Sequence, residues 1–176
     1  MSKKLAVILI SLCAVITLAS VVTVVVVLMG REEAPSSAVP PDYAPKDEEP
    51  NAEPIPDDTG EAPETSDGGS VSLLYSPDVT VDLSEGKVTL LFGNPRKSNQ
   101  DMVLQVVIRD RVILQSGRIT PGNRVTVLEL SPDGPRLGAG KYLSENCKFV
   151  VSYYDPVSGE RAMLNTEIPV TVTVSE

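Results

Sequence analysis

The sequence predicts an all-β domain over residues 71–176, built as an antiparallel β-sandwich of seven or eight strands. Three observations carry this prediction. The domain contains short apolar stretches, and turn-forming residues separate them at intervals of about ten residues. No segment repeats apolar residues at the helical period between capping residues. This pattern is typical of immunoglobulin-like sandwiches, and a small β-barrel is the alternative.

The apolar stretches define the predicted strands in chain order. They cover 71–75, 79–83, 87–92, 102–108, 112–115, 124–130, 142–154 and 162–174. Two of these stretches alternate in a way that assigns a core-facing side. The inward residues are Met102, Leu104, Val106 and Ile108 in one, and Cys147, Phe149, Val151 and Tyr153 in the other. Residues 109–111 can turn, and Pro121 with Gly122 marks a structural turn.

A tyrosine at the entry to the penultimate predicted strand supports the sandwich. Tyr142 ends the sequence GAGKY, which includes Gly140. Immunoglobulin-like domains often have a half-buried tyrosine there, whose hydroxyl bonds back to the preceding loop. Antibody domains have a cysteine two residues later, whereas this chain has Ser144 and contains no tryptophan. The sequence therefore predicts Tyr142 and Gly140 as structural residues of a disulfide-free sandwich outside the antibody type.

A long apolar run precedes the domain. Residues 5–30 contain no charged side chain, and a helix of 26 residues spans about 39 Å, more than the ~30 Å hydrocarbon core. Lys3 and Lys4 make the N-terminal flank the more positive, which places the N-terminus in the cytoplasm. We therefore expect a cytoplasmic stub (1–4), a transmembrane signal anchor (5–30) and a domain outside the cytoplasm at the cell membrane.

Two other fates of the apolar run stay open. A cleavable signal peptide has a shorter apolar region and a small-x-small site, and sites ending at Ala19 and Ala38 have the required residues. A lipoprotein would use Cys13, but Leu12 occupies a position that needs a small residue. The uncleaved anchor is favoured because the apolar run continues well beyond Ala19.

Residues 31–70 differ in composition from both flanks. They hold eight of the fifteen prolines, and twelve acidic residues against Arg31 and Lys46, a net charge of −10, whereas 71–176 carries −1. The tract has few large apolar side chains to offset the entropy of ordering, proline excludes helix, and like charges repel. The sequence therefore predicts an extended, disordered stalk that holds the domain away from the membrane.

The residue inventory excludes most catalytic and metal chemistry. The chain has no histidine, which removes Ser-His-Asp and Cys-His catalysis and histidine-ligated metals. No Walker A or dinucleotide-binding motif occurs, and the near-neutral domain lacks the basic patch of a nucleic-acid binder. Cys147 is expected to be a small buried apolar residue. We therefore expect no enzyme, no cofactor and no nucleic-acid partner.

Weaker candidates for ligand contact remain in the loops. The carboxylates considered for Ca²⁺ are too few for a site that needs six to eight oxygens, and a turn is the expected role of Asp155. These carboxylates are Asp78, Asp82, Asp155 and Glu160. Arg136 lies in the Pro- and Gly-rich loop SPDGPRLGAG, which could present it to an arginine-preferring protease. Alternation turns Tyr153 inward and Tyr154 outward, so Tyr154 is expected on the surface as a possible interaction residue.

Four segments resemble a pattern in small membrane-anchored, immunoglobulin-like proteins of Gram-positive bacteria. They are GNPRKSNQDMVLQVVI, LQSGRITPGNRV, LGAGKY and YYDPVSGE, and the resemblance covers residues 93–174. Because these are turn motifs, the resemblance implies a fold and brings no catalytic residue with it. We expect a non-enzymatic, single-pass surface protein whose domain binds a protein partner in the cell envelope. The alternative is a secreted or anchored module that binds a ligand or inhibits a protease.

Overall fold

A computed structural model describes residues 40–60, 70–132 and 136–176 of the chain. These residues form strands and no helix, which confirms the all-β prediction. The strands are β1 (Glu53–Pro54), β2 (Leu74–Tyr75), β3 (Asp78–Asp82), β4 (Lys87–Asn94), β5 (Asp101–Ile108), β6 (Arg111–Gln115), β7 (Asn123–Glu129), β8 (Gly140–Tyr142), β9 (Cys147–Tyr154), β10 (Arg161–Pro169) and β11 (Thr171–Ser175). The predicted stretches 142–154 and 162–174 are each divided into two strands.

The described strands form two sheets that pack as a β-sandwich. One sheet has four antiparallel strands in the order β10-β9-β5-β6. The other has the order β1-β7-β4-β3-β11-β8, with β2 beside β4. The prediction of a wholly antiparallel sandwich is wrong at one place, because β3 and β11 are parallel. After Pro169 the chain crosses into the other sheet, where β11 lies between β3, parallel to it, and β8, antiparallel to it.

Side chains of the two sheets meet in one apolar core. All eight predicted inward residues of β5 and β9 belong to it, which confirms the alternation. The rings of Phe92 and Phe149, from opposite sheets, meet edge to face with centroids 6.2 Å apart. β5 is buried along its whole length, and Val107, Val112 and Val150 form a second, smaller cluster. The free thiol of Cys147 is buried in the main core, as expected.

Residues 40–60, here called the strap, lie against the sandwich. Arg161 N donates to Asp42 O at 2.9 Å, and Ala44 N donates to Gly159 O at 2.8 Å. Further along the strap, β1 pairs with β7. The structure therefore differs from the predicted disordered stalk for these residues. Residues 31–39 and 61–69 of that tract lie outside the described residues.

Backbone pairing and carboxylates, rather than apolar side chains, hold the strap. Glu49 is buried, and its Oε2 accepts a hydrogen bond from Gly117 N at 2.7 Å, although 68 residues separate the two in the chain. Glu53 forms an ion pair with Arg124 at 2.9 Å. Proline restricts the unfolded chain, so ordering this segment costs less entropy than its composition implies. Composition alone therefore underestimated how much of the tract is ordered.

The predicted cytoplasmic stub and transmembrane anchor, residues 1–4 and 5–30, lie outside the described residues. The same holds for the alternative processing positions at Cys13, Ala19 and Ala38. Within the three described ranges, no helix has both the length and the apolar character needed to cross a bilayer.

Candidate functional site

Strand β9 connects two ends of the sandwich that differ in their surface. It pairs with β5 from Cys147 opposite Ile108 to Tyr154 opposite Asp101, a distance of roughly 23 Å. The strap lies at the Tyr154 end, where the tyrosine hydroxyl donates to Pro41 O at 3.0 Å. The Cys147 end, here called the loop end, carries the β5–β6 turn and residues 143–146. The strap and the loops therefore occupy opposite ends of this sheet.

The loop end contains a cleft of about 320 Å³, the candidate functional site. The β5–β6 turn lines one side of the cleft with Arg109 and Asp110. The loop before β9 lines the other side with Glu145 and Asn146, and Lys148 lies on β9 itself. The cleft is thus built by two loops held on the adjacent central strands of a sheet, which is the usual arrangement for binding loops on a rigid scaffold.

The β5–β6 turn has an unusual backbone conformation. Arg109 and Asp110 both have positive φ angles, 49° and 63°. Two-residue hairpins of type I′ require this conformation at both central positions, and Asn or Gly usually supplies it. Aspartate tolerates this region at turns, whereas an arginine there carries some backbone strain. The turn therefore presents a cation and an anion side by side in a defined orientation.

One hydrogen bond and a cation–π contact connect the two sides of the cleft. Arg109 N donates to Asn146 O at 2.7 Å, and within the loop before β9, Asn146 N donates to Leu143 O at 2.9 Å. The Arg109 guanidinium lies 5.3 Å from the centre of the Tyr142 ring. These contacts fix the position of the cleft walls relative to each other, so little ordering is required before a partner binds.

Charges of both signs surround the cleft. Arg109 and Lys148 are cationic, whereas Asp110, Glu145 and Glu167 are anionic, and Lys148 Nζ lies 2.9 Å from Glu167 Oε2. Such a surface favours a partner with complementary charges of both signs over a polyanion.

Burial disfavours chemistry at the one thiol in the cleft. It raises the pKa of Cys147, against the smaller opposing effects of a backbone hydrogen bond from Val172 and of the Arg109 charge. The thiol therefore stays protonated near neutral pH and is a poor nucleophile. The Cys147 thiol thus supplies no reactive nucleophile to the cleft near neutral pH.

The four residues predicted to be structural lie in two places. Tyr142 and Gly140 lie on β8, whereas Pro121 and Gly122 lie in the turn before β7. The Tyr142 hydroxyl donates to Gly138 O at 2.9 Å, and Gly140 begins β8. Pro121 and Gly122 form the turn before β7, in which Gly122 has a φ of 89° and accepts a hydrogen bond from Ile55 N at 2.9 Å. The positive φ explains the glycine at this position, because most other residues are strained there.

The two predicted interaction residues do not form one site. The expectation that Tyr154 lies on the surface is wrong, because its side chain is fully buried. The Tyr154 ring does lie on the opposite face of β9 from Tyr153. The strap covers this ring, and Pro41 O accepts a hydrogen bond from the Tyr154 hydroxyl. Arg136 is exposed in the β7–β8 connection, of which residues 133–135 lie outside the described residues. Nothing in the sequence around Tyr154 reveals that a distant segment covers it.

Two of the four loop carboxylates considered for Ca²⁺, Asp82 and Asp155, build turns, whereas Asp78 begins β3 and Glu160 pairs with Tyr43. Asp155 Oδ1 accepts from Ser158 N at 2.7 Å and from Val157 N at 2.9 Å, and these bonds lower its pKa. Asp82 accepts from the Ser84 hydroxyl at 2.6 Å, which lowers its pKa in the same way. In the part of the chain that the structure describes, no three Asp, Glu, Cys or His residues are grouped to hold a metal ion.

Comparison of the chain with protein-family models, with curated proteins and with solved structures gives no match.

Sequence reasoning identified residues 109–111 as a turn but missed the cleft that this turn forms with residues 143–146. The available signal was two adjacent charged residues in a two-residue connection between strongly apolar strands. That pattern predicts a tight turn, whereas the opposing loop is known only from the packing of β9 beside β5.

Proposed function

We propose that this chain is a non-enzymatic, single-pass membrane protein that presents an immunoglobulin-like domain outside the cytoplasm and binds a protein partner there. Residues 5–30 serve as the anchor, with the N-terminus in the cytoplasm. The charge-free length of that run and its positive N-terminal flank support the anchor. The recognition surface is the loop end of the domain.

Two features support the immunoglobulin-like type. The first is the two-sheet sandwich itself, with loops collected at its ends. The second is the hydrogen bond from the Tyr142 hydroxyl at the end of β8 to Gly138 O, four residues earlier, just before the chain crosses to β9 in the other sheet. This bond has the connectivity of a tyrosine corner, which stabilises the crossing between sheets in domains of this type.

The observation that carries the proposed partner binding is the charged cleft at the loop end. It joins two loops by the hydrogen bond from Arg109 N to Asn146 O and displays both signs of charge. Leu143, adjacent to the cleft in the chain, exposes 54% of its surface. An exposed apolar side chain beside oriented charges is the usual composition of a small protein-binding surface. The strap covers the opposite end of this sheet, where Pro41 O accepts a hydrogen bond from the Tyr154 hydroxyl, so it does not cover the loop end.

Site-specific crosslinking in the native host tests the proposal. A photoreactive amino acid replaces Leu143 in the full chain, and a matched variant carries it at Tyr75, which is 44% exposed on the other sheet. We expect a discrete protein adduct from position 143 and none from position 75. The charge reversal Glu145→Lys should weaken the adduct several-fold, while Glu129→Lys, on the seven-stranded sheet, should leave it unchanged.

The outcomes separate the parts of the proposal. Equal adducts at both positions would show collision rather than recognition. No adduct at position 143, in a chain that fractionates with membranes, would remove the loop end as the partner site. Recovery of the chain from the medium with a new N-terminus would instead favour the secreted alternative.

A further inference from the structure

Large apolar side chains are exposed at the strap end of the sandwich. Val157, Met163 and Leu164 have relative exposures of 95%, 103% and 77%. Val157 lies in the β9–β10 turn and the other two on β10, which is the edge strand of the four-stranded sheet. Tyr43 of the strap, 62% exposed, lines a shallow cleft together with Met163. We call these four residues the strap-end patch.

An irregularity in β10 explains why the patch projects from the sheet. The pairing of β10 with β9 shifts between Arg161, opposite Tyr154, and Asn165, opposite Ser152. Three residues, 162–164, therefore oppose a single residue of β9 and form a bulge. A bulge twists an edge strand away from pairing with another strand. The patch therefore presents side chains, rather than backbone groups, to whatever it contacts.

The chain enters the domain at this patch. The first described residues of the strap pair with the β9–β10 turn, through the bonds from Arg161 N to Asp42 O and from Ala44 N to Gly159 O. The isolated pairing of Tyr43 with Glu160 lies between these bonds. The first residues of the strap that the structure describes therefore lie beside the strap-end patch.

Docking of the strap shortens the possible tether to the proposed anchor. With 40–60 ordered on the domain, the chain between the apolar run and the strap is 31–39, nine residues rather than forty. Nine extended residues reach at most about 30 Å. An anchor in the bilayer would thus keep the start of the strap, which lies beside the strap-end patch, close to the membrane surface. A short tether also gives the patch a high effective concentration toward the membrane, so weak contacts become significant.

We propose that the strap-end patch inserts into the interfacial layer of the bilayer and holds the loop end away from it. This inference rests on the proposed anchor. The chemistry fits an apolar contact, because three aliphatic side chains and one tyrosine project from a turn and a bulge. The neighbouring charges are Asp42 and Glu160 against Arg161, so anionic headgroups are not favoured. Insertion should therefore be at least as strong in zwitterionic as in anionic membranes and nearly independent of salt.

Fluorescence of the full chain in vesicles tests the insertion. Cys13→Ser removes the one cysteine of the apolar run, and the buried Cys147 stays in place. Met163→Cys then carries an environment-sensitive fluorophore in phosphatidylcholine vesicles, with and without nitroxide-labelled lipid. Tyr75→Cys carries the same label as the control. We expect blue-shifted emission and at least a two-fold quenching by the nitroxide lipid at position 163, and neither at position 75. Leu164→Asp should shift the emission at position 163 back toward its value in water.

Flotation of the same vesicles separates this inference from the proposed anchor. A chain that floats with the vesicles while the label at 163 emits as in water retains the anchor and overturns patch insertion. If the emission at position 163 is blue-shifted but the nitroxide lipid does not quench it, the label is covered by protein and not by lipid. That result would overturn the inference in favour of a protein contact. A chain that does not float removes the anchor and, with it, the insertion.

Discussion

The central strands of the four-stranded sheet and the strap are both ordered, but different forces hold them. β5 and β9 bury nearly every side chain, and their inward residues form most of one side of the core. The strap exposes most of its side chains and is held by backbone hydrogen bonds, by β1 beside β7 and by Glu49. The first region depends on apolar burial, which is large and non-directional. The second depends on a few directional bonds, each of which contributes much less.

A segment can therefore be ordered even when its composition alone predicts disorder. A Pro-rich acidic segment lacks the apolar area to fold on its own, yet it orders where another part of the chain offers unpaired backbone groups and a cation. We therefore expect substitutions in the core to change the free energy of unfolding of the whole domain. Substitutions under the strap should change mainly the local stability of the strap.

Removal of a central aromatic ring should have the largest effect. Phe149→Ala deletes the ring that packs edge to face on Phe92 and leaves a cavity between the sheets. We expect a loss of about 3–5 kcal/mol in the free energy of unfolding, measured by urea denaturation with circular dichroism. Val157→Ala, at a 95% exposed position, is the matched control and should stay within about 0.5 kcal/mol. A loss below about 1 kcal/mol for Phe149→Ala would contradict the described core.

A methyl group added under the strap should destabilise the docked strap without lowering the stability of the core. A Cβ at Gly117 would lie 2.9 Å from Glu49 N and Cα, closer than packed atoms allow. We expect Gly117→Ala to cost about 1–3 kcal/mol and to accelerate hydrogen exchange in 42–56 but not in Cys147–Tyr154. Gly138→Ala, whose Cβ would come no closer than 3.9 Å to the Tyr142 hydroxyl oxygen, is the control and should leave both the stability and the exchange unchanged. Unchanged exchange in 42–56 would show that the strap is not docked at Gly117.

Loss of the hydroxyl that bonds to the strap should have a smaller, pH-dependent effect. Tyr154→Phe removes the hydrogen bond to Pro41 O and should cost about 1 kcal/mol at neutral pH. Burial raises the pKa of Tyr154, with Arg161 opposing and Asp42 reinforcing the shift. The folded state thus keeps this proton where the unfolded chain loses it, so stability falls as pH rises above about 10.

Tyr154→Phe should flatten that alkaline decline without abolishing it, because burial raises the pKa of Tyr153 too. Unfolding midpoints at pH 7 to 11 measure the difference. An identical decline in both proteins would show that Tyr154 ionises in the folded state as freely as in the unfolded chain.

Neutralising the exposed ion pair of the strap should have the smallest effect. Glu53→Gln removes the charge that lies 2.9 Å from Arg124. We expect a loss of no more than about 0.5–1 kcal/mol, seen as exchange around β1 and reduced further by 0.5 M salt. A larger, salt-independent loss would indicate that the ion pair, rather than the backbone pairing of β1 with β7, holds this part of the strap.

Most of the sandwich could be predicted, and much less of the candidate site. Alternation in β5 and β9 assigned the inward residues correctly, because the two faces of a strand differ in polarity at neighbouring positions. The same rule pointed Tyr154 outward from the core, but it could not show that Pro41 covers the ring. The cleft was missed because its walls, Arg109 and Asn146, meet only when β9 lies beside β5.

Local patterns along the chain decided where the strands lie, which faces are apolar and that the domain needs no disulfide. These properties depend on neighbouring residues, so they can be read without a structure. Tertiary structure alone decided that residues 40–60 dock, that the predicted last strand crosses between sheets at Val170 and that Tyr154 is buried. Each of these depends on groups far apart in the chain, as with Glu49 and Gly117. Such groups can bond only where the folded domain places them side by side.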